Sequence, residues 1–136
     1  MGKKVFSLMT SRPVVGNLSS SFSQILTLFT EFPIHHLPIV DADNKLIGMV
    51  SSNDLAKVFL KLCNRPLKIA MDITAIDNAI SVSDIMTPTP VSISSEDSVA
   101  AAIQILSEKK FLALPVVDEG VLVGILSAKD IIADLG

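Results

Sequence analysis

Two serine–aspartate pairs are the side chains of this sequence best suited to holding a small ligand. The pattern Gly-x-x-Ser-x-x-Asp occurs twice, at Gly48, Ser51 and Asp54 and at Gly124, Ser127 and Asp130. A carboxylate only accepts hydrogen bonds and therefore suits two neighbouring hydroxyl groups. The amides at the start of the helix that follows each glycine are ready partners for phosphate. The same spacing also fits an N-terminal capping box, in which both side chains serve only the helix.

The other reactive side chains indicate neither a metal site nor a catalytic centre. His35 and His36 are adjacent, and neighbouring residues on a strand face opposite sides, so they do not readily share one ion. No second His/Cys cluster completes a metal site. The single cysteine, Cys63, follows an apolar helical stripe, which favours a buried structural thiol. Because no nucleophile–base set or Walker-type loop is present, we expect no enzyme activity.

The two pairs belong to a larger internal repeat. With a shift of 77 residues, Met9-Thr10 and Pro13-Val14 recur as Met86-Thr87 and Pro90-Val91. The Leu-Pro-Ile-Val-Asp segment at 37–41 recurs as Leu-Pro-Val-Val-Asp at 114–118. The Gly, Ser and Asp positions recur with a shift of 76, so one residue is lost just after this segment. That loss is cheap at a hairpin tip, whereas inside a strand it would reverse the buried face.

Each repeat predicts a short opening strand, a helix, a two-stranded hairpin and a second helix. Apolar residues at helical spacing mark the helices: Phe22, Ile25, Leu26 and Phe29; Leu55, Val58, Phe59 and Leu62; Val99, Ala102, Ile103 and Leu106; Ile131, Ile132 and Leu135. Ser94 and Asp97 predict a capping box for the third of these helices. The nearly continuous apolar hairpin strands are typical of sheets covered on both faces.

The predicted fold is α/β, with two pseudo-symmetric β-α-β-β-α repeats packed sheet to sheet. Residues 1–62 form the first repeat, 63–81 a connecting segment and 82–136 the second repeat. In the connection, Pro66 predicts a break, and isoleucines at 73, 76 and 80 predict a short helix. One repeat of about 55 residues would be marginally stable alone, because a short chain buries a small share of its surface. Two repeats together solve that problem.

Composition excludes several classes of protein. The chain has 136 residues, a formal net charge of −3 and neither Trp nor Tyr, which argues against a nucleic-acid-binding protein. Mean hydropathy is high at +0.57, but the longest apolar stretches are strand-length and too short to span a bilayer. No secretory leader is visible, and a single cysteine fits a reducing compartment. We therefore expect a soluble cytoplasmic protein with no membrane insertion.

Taken together, the repeated motifs resemble the CBS (cystathionine beta-synthase-type) motif. The resemblance rests on Met-Thr near each repeat start, the Leu-Pro-hydrophobic-Val-Asp strand and the Gly-x-x-Ser-x-x-Asp ending. It occurs in both copies and covers nearly the whole chain. The resemblance implies a CBS pair, often called a Bateman module, which is usually regulatory and often dimeric. Such pairs commonly bind AMP, ADP, ATP, S-adenosylmethionine or related ligands in two clefts between the repeats, and require no cofactor.

The resemblance also implies which residues contact the ligand. The two motif aspartates would accept hydrogen bonds from ribose hydroxyls, and the two motif serines would lie beside the ribose-phosphate. Residues 10–14 and 87–91 would present backbone groups to the adenine edge, and residues 34–38 and 111–115 would form its apolar wall. The predicted ligand-binding residues are Thr10, Arg12, Val14, His35, His36, Pro38, Ser51, Asp54, Thr87, Pro90, Val91, Leu112, Pro115, Ser127, Lys129 and Asp130.

The two sites depart from the family pattern in different ways. Many family members carry a basic residue just before the closing aspartate, and the second copy has Lys129 where the first has neutral Asn53. Arg12 could add charge to the first site, but the corresponding Thr89 cannot supply charge to the second. One of the two imidazoles at 35–36 could line the first site and meet phosphate when protonated. We expect the Asp130 site to be the better phosphate site, and the Asp54 site to be weaker, empty or selective for a less charged ligand.

Two functions stay open at this point. The first is a ligand sensor, in which an adenine nucleotide shifts the arrangement of the repeats or of two subunits in a homodimer. The second is a ligand-free dimerisation or assembly module, whose serines and aspartates only cap helices. In either case the chain could be a fragment of a larger enzyme or transporter.

Overall fold

The computed structural model describes residues 2–64 and 72–136, apart from the side chain of Cys63. The predicted break at Pro66 and the predicted buried thiol of Cys63 therefore lie outside the described part of the chain. The α/β prediction is confirmed, because the described residues form two three-stranded sheets flanked by helices. In these ranges no helix is long and apolar enough to cross a bilayer.

The chain divides into two compact units, and each unit takes segments from both repeats. We call the first the β2–β3 unit; it comprises Val14–Asp41 and Ile47–Thr89. We call the second the β5–β6 unit; it comprises Met1–Pro13, Ala42–Leu46 and Pro90–Gly136. The compact units thus differ from the two repeats read along the sequence, and the boundaries at 62, 63, 81 and 82 remain a prediction about sequence repeats.

The β2–β3 unit has a sheet of order β2-β3-β4. Its strands are β2 (His36–Val40), β3 (Leu46–Ser51) and β4 (Thr87–Pro88), and its helices are α1 (Phe22–Glu31), α2 (Ser52–Cys63), α3 (Ile73–Ala79) and α4 (Val82–Ile85). The predicted helix in the connection is therefore present as α3. The core is apolar throughout, and Ile25, Leu37, Ile39, Val50 and Val82 are completely buried.

Helix α1 begins where the sequence offers a cap. The Ser21 hydroxyl accepts a hydrogen bond from the Gln24 amide at 3.1 Å, and the Gln24 side chain accepts one from the Ser21 amide at 2.8 Å. This reciprocal pair satisfies amides that have no partner inside the helix. One turn along, the Ser23 amide and hydroxyl both donate to Asp77 of α3, at 2.8 and 2.6 Å. These bonds fix α3 against the start of α1.

The β5–β6 unit has a sheet of order β1-β6-β5. Its elements are a 3-10 turn (Val5–Ser7), β1 (Thr10–Ser11), α5 (Val99–Lys109), β5 (Ala113–Asp118), β6 (Val121–Ser127) and α6 (Ala128–Leu135). Val5 is completely buried in the core of this unit. Its amide donates to the Asp97 carbonyl at 2.8 Å, and Lys3 forms an ion pair with Asp134 at 2.6 Å. The N-terminal segment is therefore an integral part of this unit.

Residues at the tips of both hairpins adopt a left-handed backbone, although the two tips differ in length by one residue. Asn44 has φ 61° in the first hairpin, and Glu119 and Gly120 have φ 53° and 83° in the second. Asn and Gly reach this conformation at low cost, whereas Glu119 is less suited to it. The shorter tip therefore uses Gly120 to close its turn.

The helix predictions are confirmed in position but not in every detail. Helix α5 begins at Val99 with Ser98 as its cap, whose hydroxyl accepts from the Ala101 amide at 3.1 Å, so the prediction of a cap at Ser94 and Asp97 was wrong. Those two residues form a separate turn four residues earlier, where the Ser94 amide donates to Asp97. Some stripe residues predicted to face the core are largely exposed instead, namely Phe59, Ile103, Ile132 and Leu135.

The two opening strands exchange partners between the repeats. β1, from the first repeat, pairs antiparallel with β6, placing Thr10 opposite Ile125 and Ser11 opposite Gly124. β4, from the second repeat, pairs antiparallel with β3 in the same way, with Thr87 opposite Met49 and Pro88 opposite Gly48. Each three-stranded sheet therefore combines one hairpin with the opening strand of the other copy.

Candidate functional site

The two predicted serine–aspartate pairs form the same capping box at the starts of α2 and α6. The Ser51 amide donates to Asp54 at 2.8 Å and the Asp54 amide donates to the Ser51 hydroxyl at 3.1 Å. The corresponding distances are 2.9 and 3.2 Å for Ser127 and Asp130. One oxygen of each carboxylate serves the box, and within the described residues the other accepts no hydrogen bond. Capping thus leaves an acceptor free on each aspartate.

The opening strands lie beside these two helix starts. Thr10 faces Ile125, two residues before Ser127, and Thr87 faces Met49, two residues before Ser51. Both threonines are exposed. The structure therefore brings Thr10 into the unit of Asp130 and Thr87 into the unit of Asp54, whereas the sequence placed each threonine with the aspartate of its own repeat.

Two glycine–methionine contacts hold the opening strands in place. A Cβ added to Gly48 would come 2.4 Å from the Met86 sulfur, and one added to Gly124 would come 2.6 Å from the Met9 sulfur. Both distances are below normal contact, so only glycine fits beneath each methionine. In the sequence, these methionines stand out only as positions of the repeat. Their recurrence with the same shift as the opening strands was the signal that could have identified the contact.

The segments before β2 and β5 meet the helix starts through their backbone. The Ser52 amide donates to the His35 carbonyl at 2.9 Å, and the Ala128 amide donates to the Leu112 carbonyl at 2.9 Å. The Leu112 side chain is 66% exposed and can serve as an apolar wall. Pro38 and Pro115, also predicted for that wall, are both buried.

The residues of each predicted adenine-facing loop do not all lie in one unit. Val14 is half-buried and packs on the core of the β2–β3 unit, so it is grouped with Thr87 and not with Thr10. Pro90 and Val91 belong to the β5–β6 unit, apart from Thr87, and Val91 is exposed. Each predicted adenine-facing loop is thus shared between the two units.

Arg12 is placed differently from the sequence prediction. It follows the β1 residue Ser11, which pairs with Gly124, and it is exposed in the β5–β6 unit together with Lys129. Strand exchange thus places Arg12 in the unit of Asp130, whereas the sequence prediction assigned it to the Asp54 site. Arg12 and its counterpart Thr89 both have left-handed backbones, with φ 51° and 46°.

The Asp54 carboxylate influences the pKa of His36. His36 is half-buried at the start of β2, and His35 beside it is exposed. Burial lowers the pKa of His36, the neighbouring His35 lowers it further, and the Asp54 carboxylate partly opposes both. The imidazole is therefore mainly neutral at neutral pH. Over the described residues, no group of three or more metal-ligating side chains comes together.

A shallow cavity of about 480 Å³ lies away from these residues, beside the start of α1. Five of its six lining residues are polar: Asn17, Ser19, Ser20, Gln24 and Thr27, with Leu28 as the sixth. Several of these groups already bond to their neighbours; Asn17 accepts from the Ser19 amide and hydroxyl, and Gln24 accepts from Ser21. The cavity therefore offers few free polar groups.

Comparison with known proteins matches the chain to one domain family twice. The sequence profile of the CBS domain matches residues 5–61 and 82–136. Inosine-5'-monophosphate dehydrogenase from Mycobacterium tuberculosis is 28% identical over 134 residues, a match that covers 97% of this chain but 22% of the enzyme. The chain therefore spans about a fifth of the length of that curated relative.

Solved structures match the whole chain. The structure of CBSX2 in complex with AMP, a protein of Arabidopsis thaliana, is 33% identical with a TM-score of 0.80 and covers 98% of this chain and 96% of its own. The CBS domain pair of MJ0100, in complex with 5'-methylthioadenosine and S-adenosyl-L-methionine, is 24% identical with a TM-score of 0.81, and shares the fold. It covers 98% of this chain and 100% of its own.

Proposed function

The chain belongs to the CBS domain family, and from that premise we propose that it is a regulatory module that senses an adenosine-containing nucleotide. One observation carries the proposal. In each unit, a half-buried aspartate at a helix start keeps a free carboxylate oxygen, and the strand that leads into this helix pairs with an opening strand that carries an exposed threonine. A relative at 33% identity, CBSX2, has been solved with AMP bound.

The chemistry of each helix start fits a nucleoside. The free oxygen of Asp54 or Asp130 accepts a hydrogen bond from a ribose hydroxyl, and the motif serine lies beside the same group. The first amides of α2 and α6 and the positive end of the helix dipole favour a phosphate. Exposed Leu112 offers an apolar surface to a base in the β5–β6 unit. The ligand class is AMP, ADP, ATP or S-adenosylmethionine.

Sensing requires a ligand that binds one arrangement of the protein more tightly than another. The proposal assigns no catalysis to this chain. The enzymes among its relatives are much longer than the part that matches, which supports a regulatory part in a larger system. We also place the protein in the cytoplasm and propose a second copy of the chain as its protein partner.

The test is a dye-based thermal-shift assay on the purified protein with AMP, ADP, ATP, S-adenosylmethionine and GTP. A dye is needed because the chain lacks Trp and Tyr. A ligand at a hundredfold excess over its Kd adds about 2.7 kcal/mol and raises Tm by on the order of 10 °C. We expect shifts with adenine ligands and none with GTP, reduced in both Asp54→Asn and Asp130→Asn and absent in the double variant.

Asp97→Asn is the matched control. Asp97 accepts from the Ser94 amide at 2.9 Å, as Asp130 accepts from the Ser127 amide, but it lies outside the predicted site. This variant should keep the full ligand shift. Absence of any shift at millimolar adenine nucleotide would reject the sensor and favour the assembly module instead.

A further inference from the structure

We infer that the two units divide ligands by charge: the β5–β6 unit takes a phosphorylated adenosine ligand, and at neutral pH the β2–β3 unit takes one without a negative 5' group. This inference rests on the proposed function and adds a ligand class to each of its sites. It follows from the side chains that strand exchange brings together in each unit.

Both permanent cations of the motif positions lie in the β5–β6 unit. Lys129 is exposed on the first turn of α6, directly before Asp130, and Arg12 follows β1 in the same unit. The corresponding positions in the β2–β3 unit are Asn53 and Thr89, and both are uncharged. Without strand exchange each site would have received one cation. The exchange therefore puts both of them in the unit of Asp130.

The β2–β3 unit carries ionisable groups of a different kind. His35 and His36 occupy the positions that Leu112 and Ala113 occupy in the other unit. The groups that act on His36 are His35 beside it and Asp54 on the facing helix α2. Lys57 lies three residues beyond Asp54 on α2, is exposed, and is not among the groups that shift His36.

This arrangement leaves the motif positions of the β2–β3 unit without a permanent cation. Because burial and His35 lower the pKa of His36, its imidazole is neutral there and offers no charge to a phosphate. The free carboxylate oxygen of Asp54 then dominates, and it disfavours an anion while still accepting from ribose hydroxyls. When pH falls and His36 becomes protonated, the same site gains a cation and its affinity for phosphate rises.

Isothermal titration calorimetry on the full chain tests the inference, with ATP and adenosine as probes at about pH 8. The Asp54→Asn and Asp130→Asn variants each leave one unit intact. We expect Asp130→Asn to remove the tight ATP site and leave adenosine binding, and Asp54→Asn to remove the preferred adenosine site and leave ATP binding. A charge-assisted contact is typically worth ten- to a hundredfold in affinity, to order of magnitude.

Exchanging one residue between the units provides the matched pair of variants. Lys129→Asn should weaken ATP binding in the β5–β6 unit roughly tenfold or more, with adenosine affinity little changed. Asn53→Lys should raise ATP affinity in the β2–β3 unit by a similar factor. Both are surface changes on the first turn of a helix, so the fold should tolerate them.

The pH dependence isolates His36. Because the pKa of His36 lies below its ordinary value, ATP binding to the Asp130→Asn protein should strengthen when the pH is lowered from about 8 to about 5, and His36→Gln should remove this gain. The comparison with His36→Gln is needed because ATP phosphate itself titrates in this range. Equal pH dependence in the two proteins would overturn the role of His36.

The remaining outcomes separate this inference from the proposed function. If ATP bound both units equally at pH 8, or kept its tight site in Asp130→Asn, the division by charge would be wrong and the sensor function would stand. If neither ATP nor adenosine bound the protein, the proposed function would fail and this inference with it.

Discussion

Serine–aspartate pairs three residues apart occur at four places in this chain, and only two of them are predicted ligand sites. Four aspartates accept a hydrogen bond from the amide of a serine three residues earlier, namely Asp54, Asp84, Asp97 and Asp130. This bond is 2.8 or 2.9 Å long in all four, but the Ser94 hydroxyl accepts from the Glu96 amide and not from the Asp97 amide. What sets Asp54 and Asp130 apart is the opening strand beside them, so a local motif alone cannot define the site.

The sequence indicated these two aspartates and their serines because the motif recurs in order, and it indicated Lys129 because of the resemblance to the family pattern. It could not predict the unit in which Arg12 lies, because that depends on which strand pairs with β1. Strand pairing is a long-range choice that local propensity does not determine. The half-burial of His36 was also beyond prediction, since it depends on tertiary packing.

Asp118 provides a prediction that is independent of ligand binding. It accepts from the Ser94 hydroxyl at 2.9 Å, the Ser95 amide at 3.0 Å and the Ser95 hydroxyl at 2.5 Å. The hydrogen bond from the Ser95 hydroxyl lowers the pKa of Asp118 most. The bonds from the Ser95 amide and the Ser94 hydroxyl lower it further. Because the carboxylate is partly exposed, solvent screens these bonds, and Asp118→Ala should cost on the order of 1 kcal/mol of stability near pH 7.

The sign of the pH effect follows from the direction of that shift. Because the pKa of Asp118 is lower in the folded protein than in the unfolded chain, its contribution is complete above the unfolded pKa of about 4. The contribution is lost as pH falls through the lower folded pKa. Urea unfolding should show the wild-type and Asp118→Ala stabilities converging below pH 4. The control is Glu96→Ala, which removes an exposed carboxylate directly after Ser95 and should change stability by less than about 0.5 kcal/mol. A loss of stability in Glu96→Ala as large as that in Asp118→Ala would contradict the prediction.

At the scale of the element, the opening strands are the part of the fold that pattern reading cannot place. Each is two residues long, too short for an apolar period to indicate its partner. The longer elements were predictable because their apolar periods cover two or three turns. The start of α5 was mispredicted because Ser94 and Ser98 both offer capping chemistry, and Ser98 is the one adjacent to the helix.

The glycine–methionine contacts predict an asymmetry between the two opening strands. A Cβ at position 48 would meet the Met86 sulfur at 2.4 Å and the Thr87 carbonyl at 3.2 Å, whereas one at position 124 would meet the Met9 sulfur at 2.6 Å and the Thr10 carbonyl at 2.8 Å. Gly48→Ala and Gly124→Ala should each destabilise by about 1–3 kcal/mol. Trimming the methionine removes the closest contact at 48 but leaves a backbone clash at 124.

A double-mutant cycle measured by chemical denaturation checks this asymmetry. Met86→Ala should recover most of the loss caused by Gly48→Ala, with a coupling on the order of 1–2 kcal/mol. Met9→Ala should recover little of the loss caused by Gly124→Ala. Equal coupling in the two cycles would show that the methionines do not set the position of the strands.

For the whole molecule, the α/β class and the twofold repeat could be predicted because the duplicated motifs recur at a nearly constant shift in the sequence. Which segments form each compact unit could not be predicted. A repeat is a property of the sequence, whereas a unit is defined by packing, and residues 1–13 pack with residues 90–136. Any account that assigned ligand contacts repeat by repeat would therefore misplace one strand at each site.

The proposed second copy of the chain can be tested at this scale. Phe59 and Leu60 on α2 are each 63% exposed, and Ile132 and Leu135 on α6 are 64% and 81% exposed. Apolar side chains at these positions favour burial against a partner. Sedimentation velocity at micromolar concentration should show a dimer that dissociates when Phe59 and Leu60, or Ile132 and Leu135, are changed to Ser. Leu18→Ser, at a 54% exposed position outside these helices, should leave the dimer intact. A monomeric wild-type protein would reject this partner.

The exchange of opening strands also sets an order of events at the ribosome. The β2–β3 unit is complete in sequence once Thr89 has been synthesised, while residues 2–13 belong to a unit that is completed only by Pro90–Gly136. At about 5–20 residues per second, this segment waits for several seconds or more with the side chain of Val5 unburied. The segment is thus synthesised long before its partners, and we expect chaperones to protect it in that interval.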